Sequence, residues 1–153
     1  MTPIQISTLQ DRPDYLPVLA DWHHAEWSYL NPERTLAMRI EQMREDLQGQ
    51  VIPTTYVAEC EGELLGSASL LAADMSSHPE LSPWLGSVYV ADRYRRQGIG
   101  STLVRRVMQH AREHGISQLY LYTPDQAQLY ARLGWQVFNE ESYNGTPVTI
   151  MHI

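Results

Sequence analysis

The chain has 153 residues, of which 43% are hydrophobic and 19% are charged, and its formal net charge is −7. These values predict one folded domain spanning 1–153 and exclude a disordered chain. The acidic balance argues against nucleic-acid binding, and no apolar run reaches the roughly 20 residues that a membrane span needs.

Hydrophobic periodicity predicts two helices in the first half of the chain, between a short strand and a hairpin. In chain order, the predicted elements are a strand at 4–6, a helix from 11–13 towards Tyr29, a helix over about 33–48, and hairpin strands over 54–60 and 64–71.

The second half is predicted as a strand, a glycine-containing loop, a long helix, and then three strands around a short helix. These elements are a strand over about 84–90, a helix through Ile99 that Gly115 stops, a strand over 118–122, a helix ending at Leu133, and strands over 135–138 and 148–151. The segment 123–126 resembles a capping box with Pro124 at the first helical position. The order β-α-α-β-β-β-α-β-α-β-β predicts a layered α+β (α/β) fold, in which helices cover both faces of a mixed, mostly antiparallel central sheet.

The loop at 95–100 reads Arg-Arg-Gln-Gly-Ile-Gly and leads into the long helix. Its glycines let backbone N–H groups approach a ligand closely, and a helix N-terminus favours an anion. The segment 93–112 holds six of the 11 basic residues and no acidic one, whereas the rest of the chain has 5 basic and 18 acidic residues. We therefore predict a phosphate-rich ligand at this loop, although solvation explains the arginines further along the helix equally well.

Two motifs in the right order point to a family. A P-loop needs a lysine, which this chain lacks, and Leu103 stands where a dinucleotide-binding loop has its last glycine or alanine. The segment 95–100, as Arg-x-x-Gly-x-Gly between a strand and a helix, resembles the pyrophosphate loop of the GNAT superfamily of acyl-CoA-dependent N-acyltransferases. The segment 127–135, as Ala-x-x-Tyr-x-x-x-Gly-Trp, resembles the second hallmark of that family. Pro124 departs from the pattern, because many members have a cofactor-binding asparagine there.

The resemblance implies that acetyl-CoA is the cosubstrate. The strand before the loop is expected to splay from the next strand, so that the pantetheine arm pairs with its free edge while the pyrophosphate lies on the loop. The residues that this implies for cofactor binding are Val88, Val90, Arg95, Arg96, Gln97, Gly98, Ile99, Gly100, Ser101 and Thr102. A longer acyl-CoA donor is an open alternative.

The resemblance further implies transfer of an acetyl group to a primary amine by direct attack in a ternary complex. The acceptor would be a small-molecule amine or a peptide N-terminus. Tyr130 occupies the position of the family's general acid, which protonates the CoA thiolate. A non-catalytic CoA-binding sensor or regulatory module is the alternative, because the segment 84–91 lacks the glutamate that many relatives carry.

Without that glutamate, the general base must come from elsewhere. We favour Glu26, because residues of the first helix commonly border the acceptor cleft in this family. The other candidates are His23, His24, Asp74, His78 and Glu80. Trp27 and Trp84 are candidates for the walls of an amine pocket.

Location and assembly are predicted from weaker features. The single cysteine, Cys60, precludes an internal disulfide, and the N-terminus lacks signal-peptide features, so we expect a cytoplasmic protein. No metal is expected, because the histidines of the first helix lack the i, i+4 spacing of a metal site. Dimers are common in the family, and pairing of the terminal strands would make a homodimer.

Overall fold

One seven-stranded sheet organises residues 3–153, which are the residues that the computed structural model describes. The strands are β1 (Gln5–Thr8), β2 (Thr54–Cys60), β3 (Glu63–Leu71), β4 (Trp84–Val90), β5 (Tyr120–Thr123), β6 (Gln136–Tyr143) and β7 (Thr146–His152). The helices are α1 (Leu16–Trp27), α2 (Leu36–Met43), α3 (Ile99–Glu113) and α4 (Ala127–Arg132). The sheet order is β1-β2-β3-β4-β5-β7-β6, in which only the β4–β5 contact is parallel. The predicted element order and the mixed, mostly antiparallel sheet are confirmed.

Alternating side chains of β2 show that helices cover both faces of the sheet. Tyr56 and Ala58 belong to the buried cluster that includes Leu103 of α3. Val57, which points the other way, packs in the cluster that includes Leu19 of α1. Every helix in residues 3–153 is too short or too polar to cross a lipid bilayer.

The first two helices are shorter than the sequence predicts. A 3₁₀ turn over Pro13–Tyr15 precedes α1, so the α-helix begins only at Leu16. The second helix begins at Leu36, because the Thr35 hydroxyl accepts a hydrogen bond from the Met38 N–H at 3.1 Å and caps it. It changes to a 3₁₀ turn after Met43.

The prediction that Pro124 opens the last helix is wrong. The Thr123 hydroxyl accepts hydrogen bonds from the N–H groups of Asp125 and Gln126, at 3.3 and 2.9 Å, and so forms a turn. The helix α4 starts after that turn, at Ala127. The two closing strands are longer than predicted, and they join through Asn144–Gly145, where both residues have a positive φ, as a tight hairpin turn requires.

The strands β4 and β5 separate as soon as they meet. Trp84 and Tyr120 are the one aligned pair between them, and the Tyr120 N–H donates to the Pro83 carbonyl at 3.0 Å. On its other side, β4 carries a bulge after Gly86, where Ser87 has a φ of +52°. The gap expected from the family resemblance is therefore present between β4 and β5.

We predict that Gly66→Ala lowers the free energy of unfolding by roughly 1–3 kcal/mol. A Cβ on Gly66 would lie 2.4 Å from the Tyr89 carbonyl oxygen and 3.2 Å from the Val90 Cα, so β4 would have to move. Urea denaturation measures the change. Gly100→Ala is the control, because its Cβ would meet the nearest atom, Val90 Cγ2, at an ordinary 3.6 Å. Equal unfolding midpoints for the two variants would contradict this packing.

Candidate functional site

A cavity of about 620 Å³ opens where β4 and β5 separate. Its walls come from α1, β4, the loop before α3, β5 and α4. The predicted cofactor-binding residues that line it are Val88, Val90, Arg95, Arg96, Gly98, Ile99, Gly100 and Ser101. Gln97 and Thr102 are not among its lining residues, and the Thr102 hydroxyl donates to the Gly98 carbonyl at 2.9 Å.

The N-terminus of α3 faces this cavity without a side-chain cap. Gly98 holds the N-cap position with a φ of +81°, which favours glycine. The Thr102 N–H donates to the Gly98 carbonyl at 3.1 Å, but no earlier N–H group of α3 has a preceding helical carbonyl to bond. The N–H groups of Ile99, Gly100 and Ser101 can therefore hold an anion.

Arg95 and Arg96 differ in their contacts. The Arg95 Nε donates to the Val90 carbonyl at 2.7 Å, and its guanidinium lies 3.6 Å from the Glu26 carboxylate. Arg96 is exposed and has no hydrogen bond or ion pair within the described chain. Glu26, the base favoured from the sequence, thus lies at the loop end of the cavity against Arg95.

Tyr130 lines the cavity from α4 and is 7% exposed. Its ring makes an edge contact with Trp135 at 6.3 Å between centroids. Burial raises the pKa of the phenol, and the negative charges of Asp125 and Asp74 raise it further. The hydroxyl therefore keeps its proton at neutral pH, and no side chain in residues 3–153 hydrogen-bonds to it.

His23 is buried in a hydrogen-bonded network behind the β4 bulge. Its Nδ1 accepts from Arg39 at 2.7 Å and its Nε2 donates to the Ser67 hydroxyl at 2.9 Å, since the guanidinium can only donate. Ser67 in turn donates to the Ser87 carbonyl, and Arg39 donates to the Ser87 hydroxyl, both at 2.8 Å. Burial, aided by the charge of Arg39, lowers the pKa of His23 well below its usual value. This neutral histidine has both nitrogens engaged in supporting the bulge.

Two other predicted base candidates lie outside the cavity. His78 contacts Glu80 at 2.9 Å and Glu141 at 2.6 Å, and neither His78 nor Glu80 lines the cavity. His24 does line it, from α1. Within residues 3–153, no group of three or more His, Cys, Asp or Glu side chains is arranged to hold a metal ion.

Asp74 is the candidate base that the fold brings into the gap. Its Oδ2 lies 2.8 Å from where a Cβ on Gly86 would stand, so the carboxyl packs directly against the bare backbone of β4. No hydrogen bond engages this carboxyl within the described part of the chain. Burial raises its pKa to about 6, against the opposing effect of the Arg39 and Arg34 charges.

Sequence reasoning missed two arginines and misplaced one tryptophan. Arg34 and Arg39 line the cavity, and no motif marks either of them. Trp84 is fully buried in the core, where its Nε1 donates to the Leu81 carbonyl at 2.7 Å, so the prediction that it walls an acceptor pocket is wrong. Trp27 does line the cavity, and its ring makes a T-shaped contact with that of Tyr89 at 6.0 Å between centroids.

The sequence model described as Acetyltransferase (GNAT) family matches residues 16–135. The chain belongs to the GNAT family. The family that this model describes is one of acetyltransferases.

Comparison with individual proteins agrees with the GNAT assignment. The chain is 38% identical over 68 residues to human N-acetyltransferase 8, a match that covers 44% of the chain and only 30% of that protein's length. The structure of aminoglycoside 6′-acetyltransferase type Ii superposes with a TM-score of 0.74 at 21% identity, over 97% of this chain and 96% of that one. The structure of yncA from Salmonella typhimurium with its cofactor acetyl-CoA gives 0.70 at 17% identity, over 98% and 92%. At these identities, the structural likeness shows the GNAT fold.

We predict that Asp74→Asn stabilises the protein above pH 6. The unfolded carboxyl titrates near its ordinary value of about 3.9, whereas the folded one titrates at about 6. Between these values the folded state binds a proton that the unfolded state releases, so stability falls as the pH rises and the loss is complete above pH 6. Asparagine does not ionise and so avoids this loss in the free energy of unfolding, which amounts to at most about 3 kcal/mol.

Chemical denaturation at pH 4 and pH 8 measures this difference between variant and wild type. The expected gain at pH 8 disappears near pH 4. Asp21→Asn removes the same charge from an exposed position on α1 and is the matched control. A gain of equal size at both pH values would show that burial does not disfavour the Asp74 carboxylate.

Proposed function

We propose that this protein transfers the acetyl group of acetyl-CoA to a primary amine, with both substrates bound in a ternary complex. One observation carries the proposal: a single cavity joins the uncapped N-terminus of α3 to Asp74 and Tyr130, whose side chains have no hydrogen-bond partner among the described residues. The first feature suits a diphosphate, and the other two suit the proton transfers of acyl transfer to nitrogen.

Acetyl-CoA would enter with its diphosphate on the N–H groups at the start of α3. Arg95 and Arg96 supply positive charge beside these groups, and Arg96 is free to turn towards a phosphate. The pantetheine arm would then extend through the gap and pair with the free edge of β4 at Val88 and Val90. This path leads the thioester from the loop end of the cavity towards Asp74.

Asp74 is our proposed general base. An alkyl amine with a pKa near 10.4 is almost fully protonated at pH 7, so a carboxylate that binds the ammonium and accepts its proton speeds attack. With a pKa of about 6, Asp74 is ionised at neutral pH and yet more basic than an ordinary aspartate. Glu26 lies on the cavity but pairs with Arg95, and its role as a base stays a prediction.

Acyl transfer itself then needs two further proton transfers, one from the nitrogen and one to the sulfur. Asp74 first passes the ammonium proton to solvent. The neutral amine nitrogen then attacks the thioester carbonyl carbon, the C–N bond forms, the C–S bond breaks, and the second proton of the nitrogen passes to Asp74. The phenol of Tyr130 donates its proton to the departing sulfur and regains one from solvent. Because a thiol has a pKa near 8.5, the thiolate is a fair leaving group, and a hydrogen bond from a weak acid is sufficient help.

Three finer features of the proposal rest on the sequence and the family resemblance. They are a cytoplasmic location, a homodimer, and acetyl-CoA rather than a longer acyl-CoA as donor. The acceptor is a small-molecule amine or a peptide N-terminus.

Thiol release from acetyl-CoA, measured across a panel of primary amines, tests the proposal. We expect amine-dependent release by the wild type and a loss of about 100-fold in kcat for Tyr130→Phe, with little change in the acetyl-CoA dissociation constant. Tyr29→Phe removes a hydroxyl outside the cavity and is the control. Unchanged turnover would remove Tyr130 from the mechanism, and no release with any amine would refute the proposed reaction.

A further inference from the structure

Two oppositely charged side chains line the Asp74 end of the cavity, which we call the acceptor end, and neither has a bonding partner in the described part of the chain. Arg34 is half-buried and lines the cavity, yet its guanidinium makes no hydrogen bond or ion pair within residues 3–153. The Asp74 carboxyl is likewise free of hydrogen bonds there. Because polar groups that leave water without a partner cost stability, such groups in a cavity suit contact with a ligand.

The neighbouring cation, Arg39, is fixed in place. Its NH2 group donates to His23 and Ser87, and its NH1 group donates to Gln42 at 3.4 Å. Its Nε is buried and has no hydrogen-bond partner among residues 3–153. The side chain is only 9% exposed, so it cannot swing out to reach solvent. Asp74 and Asp46 both partly offset its charge.

The charges at this end indicate what the acceptor must carry. The positive charges of Arg34 and Arg39 both act on the carboxylate of Asp74. A plain ammonium ion bound to Asp74 would add a third positive charge, and a polyamine would add more. An acceptor with its own acidic group would instead neutralise Arg34, whose guanidinium has neither an ion pair nor a hydrogen bond within residues 3–153.

We infer that the acceptor is an amino-acid-like amine, whose amino group contacts Asp74 and whose carboxylate contacts Arg34. The inference rests on the proposed function and names the substrate class of the same site. Arg34 follows α1 and Asp74 precedes β4, so the two groups approach the cavity from different elements. A guanidinium can hold a carboxylate through two parallel hydrogen bonds, which would orient the amine for attack.

The test compares matched acceptors in the thiol-release assay. The probes are amino acids with α, β and γ spacing between amine and carboxylate, each beside its carboxamide. For at least one spacing, we expect kcat/KM to be roughly 10- to 100-fold higher for the carboxylate member, as a charge-assisted hydrogen bond implies. Equal rates, or a preference for the amides, would overturn the inference while leaving the proposed reaction intact. Absence of turnover with every amine would instead refute the reaction itself.

Variants of Arg34 test whether this residue causes the preference for a carboxylate over an amide. Arg34→Gln should reduce the carboxylate-to-amide ratio of kcat/KM at least tenfold, and Arg34→Lys, which keeps the charge, should retain part of it. Arg44→Gln is the control, because Arg44 is exposed, lies outside the cavity and pairs with Glu41. The acetyl-CoA dissociation constant should not change in Arg34→Gln. An unchanged ratio in that variant, or weakened acetyl-CoA binding, would overturn the assignment of Arg34 to the acceptor.

Discussion

The separation of β4 from β5 is the constraint on which the rest of the structure depends. A sheet interior normally leaves no backbone donors or acceptors unpaired, because burying them without partners is costly. Here the strands share a single aligned pair, Trp84 with Tyr120, and beyond it they leave two free edges inside the molecule. Such edges require water or a ligand, and an extended amide-containing chain such as pantetheine meets the requirement well.

The separation is supported by polar side chains behind β4. Ser87 adopts a positive φ at the bulge, and it receives hydrogen bonds from Ser67 and Arg39. His23 joins those two donors into one network in the core. Because the hydrogen bonds of a buried network depend on one arrangement of its members, this network favours one geometry of the bulge over others. The same arginine that supports the bulge also supplies positive charge to the acceptor end, which links the shape of the gap to its electrostatics.

The sequence predicts those features that depend on local patterns. Gly98 and Gly100 mark the loop before α3, and regular apolar spacing marks α3 itself, so the proposed anion site could be predicted without a structure. The start of α2 was predicted too early, because the capping role of Thr35 depends on a single hydroxyl contact. The acceptor end depends on long-range packing: Arg39 reaches Ser87 across 48 positions in sequence, and Asp74 fits because Gly86 has no side chain. No local motif encodes those contacts, so the preference for Glu26 over Asp74 could not be tested from sequence alone.

The most direct test of the account asks whether a diphosphate binds the first turn of α3. Backbone amide resonances, followed by NMR during titration with CoA, report on each N–H group separately. We expect the largest shifts at Gly98, Ile99, Gly100 and Ser101, and pantetheine, which lacks the diphosphate, should leave these four resonances nearly unmoved. Strong binding of CoA with no change at these amides, or equal shifts with pantetheine, would contradict the account.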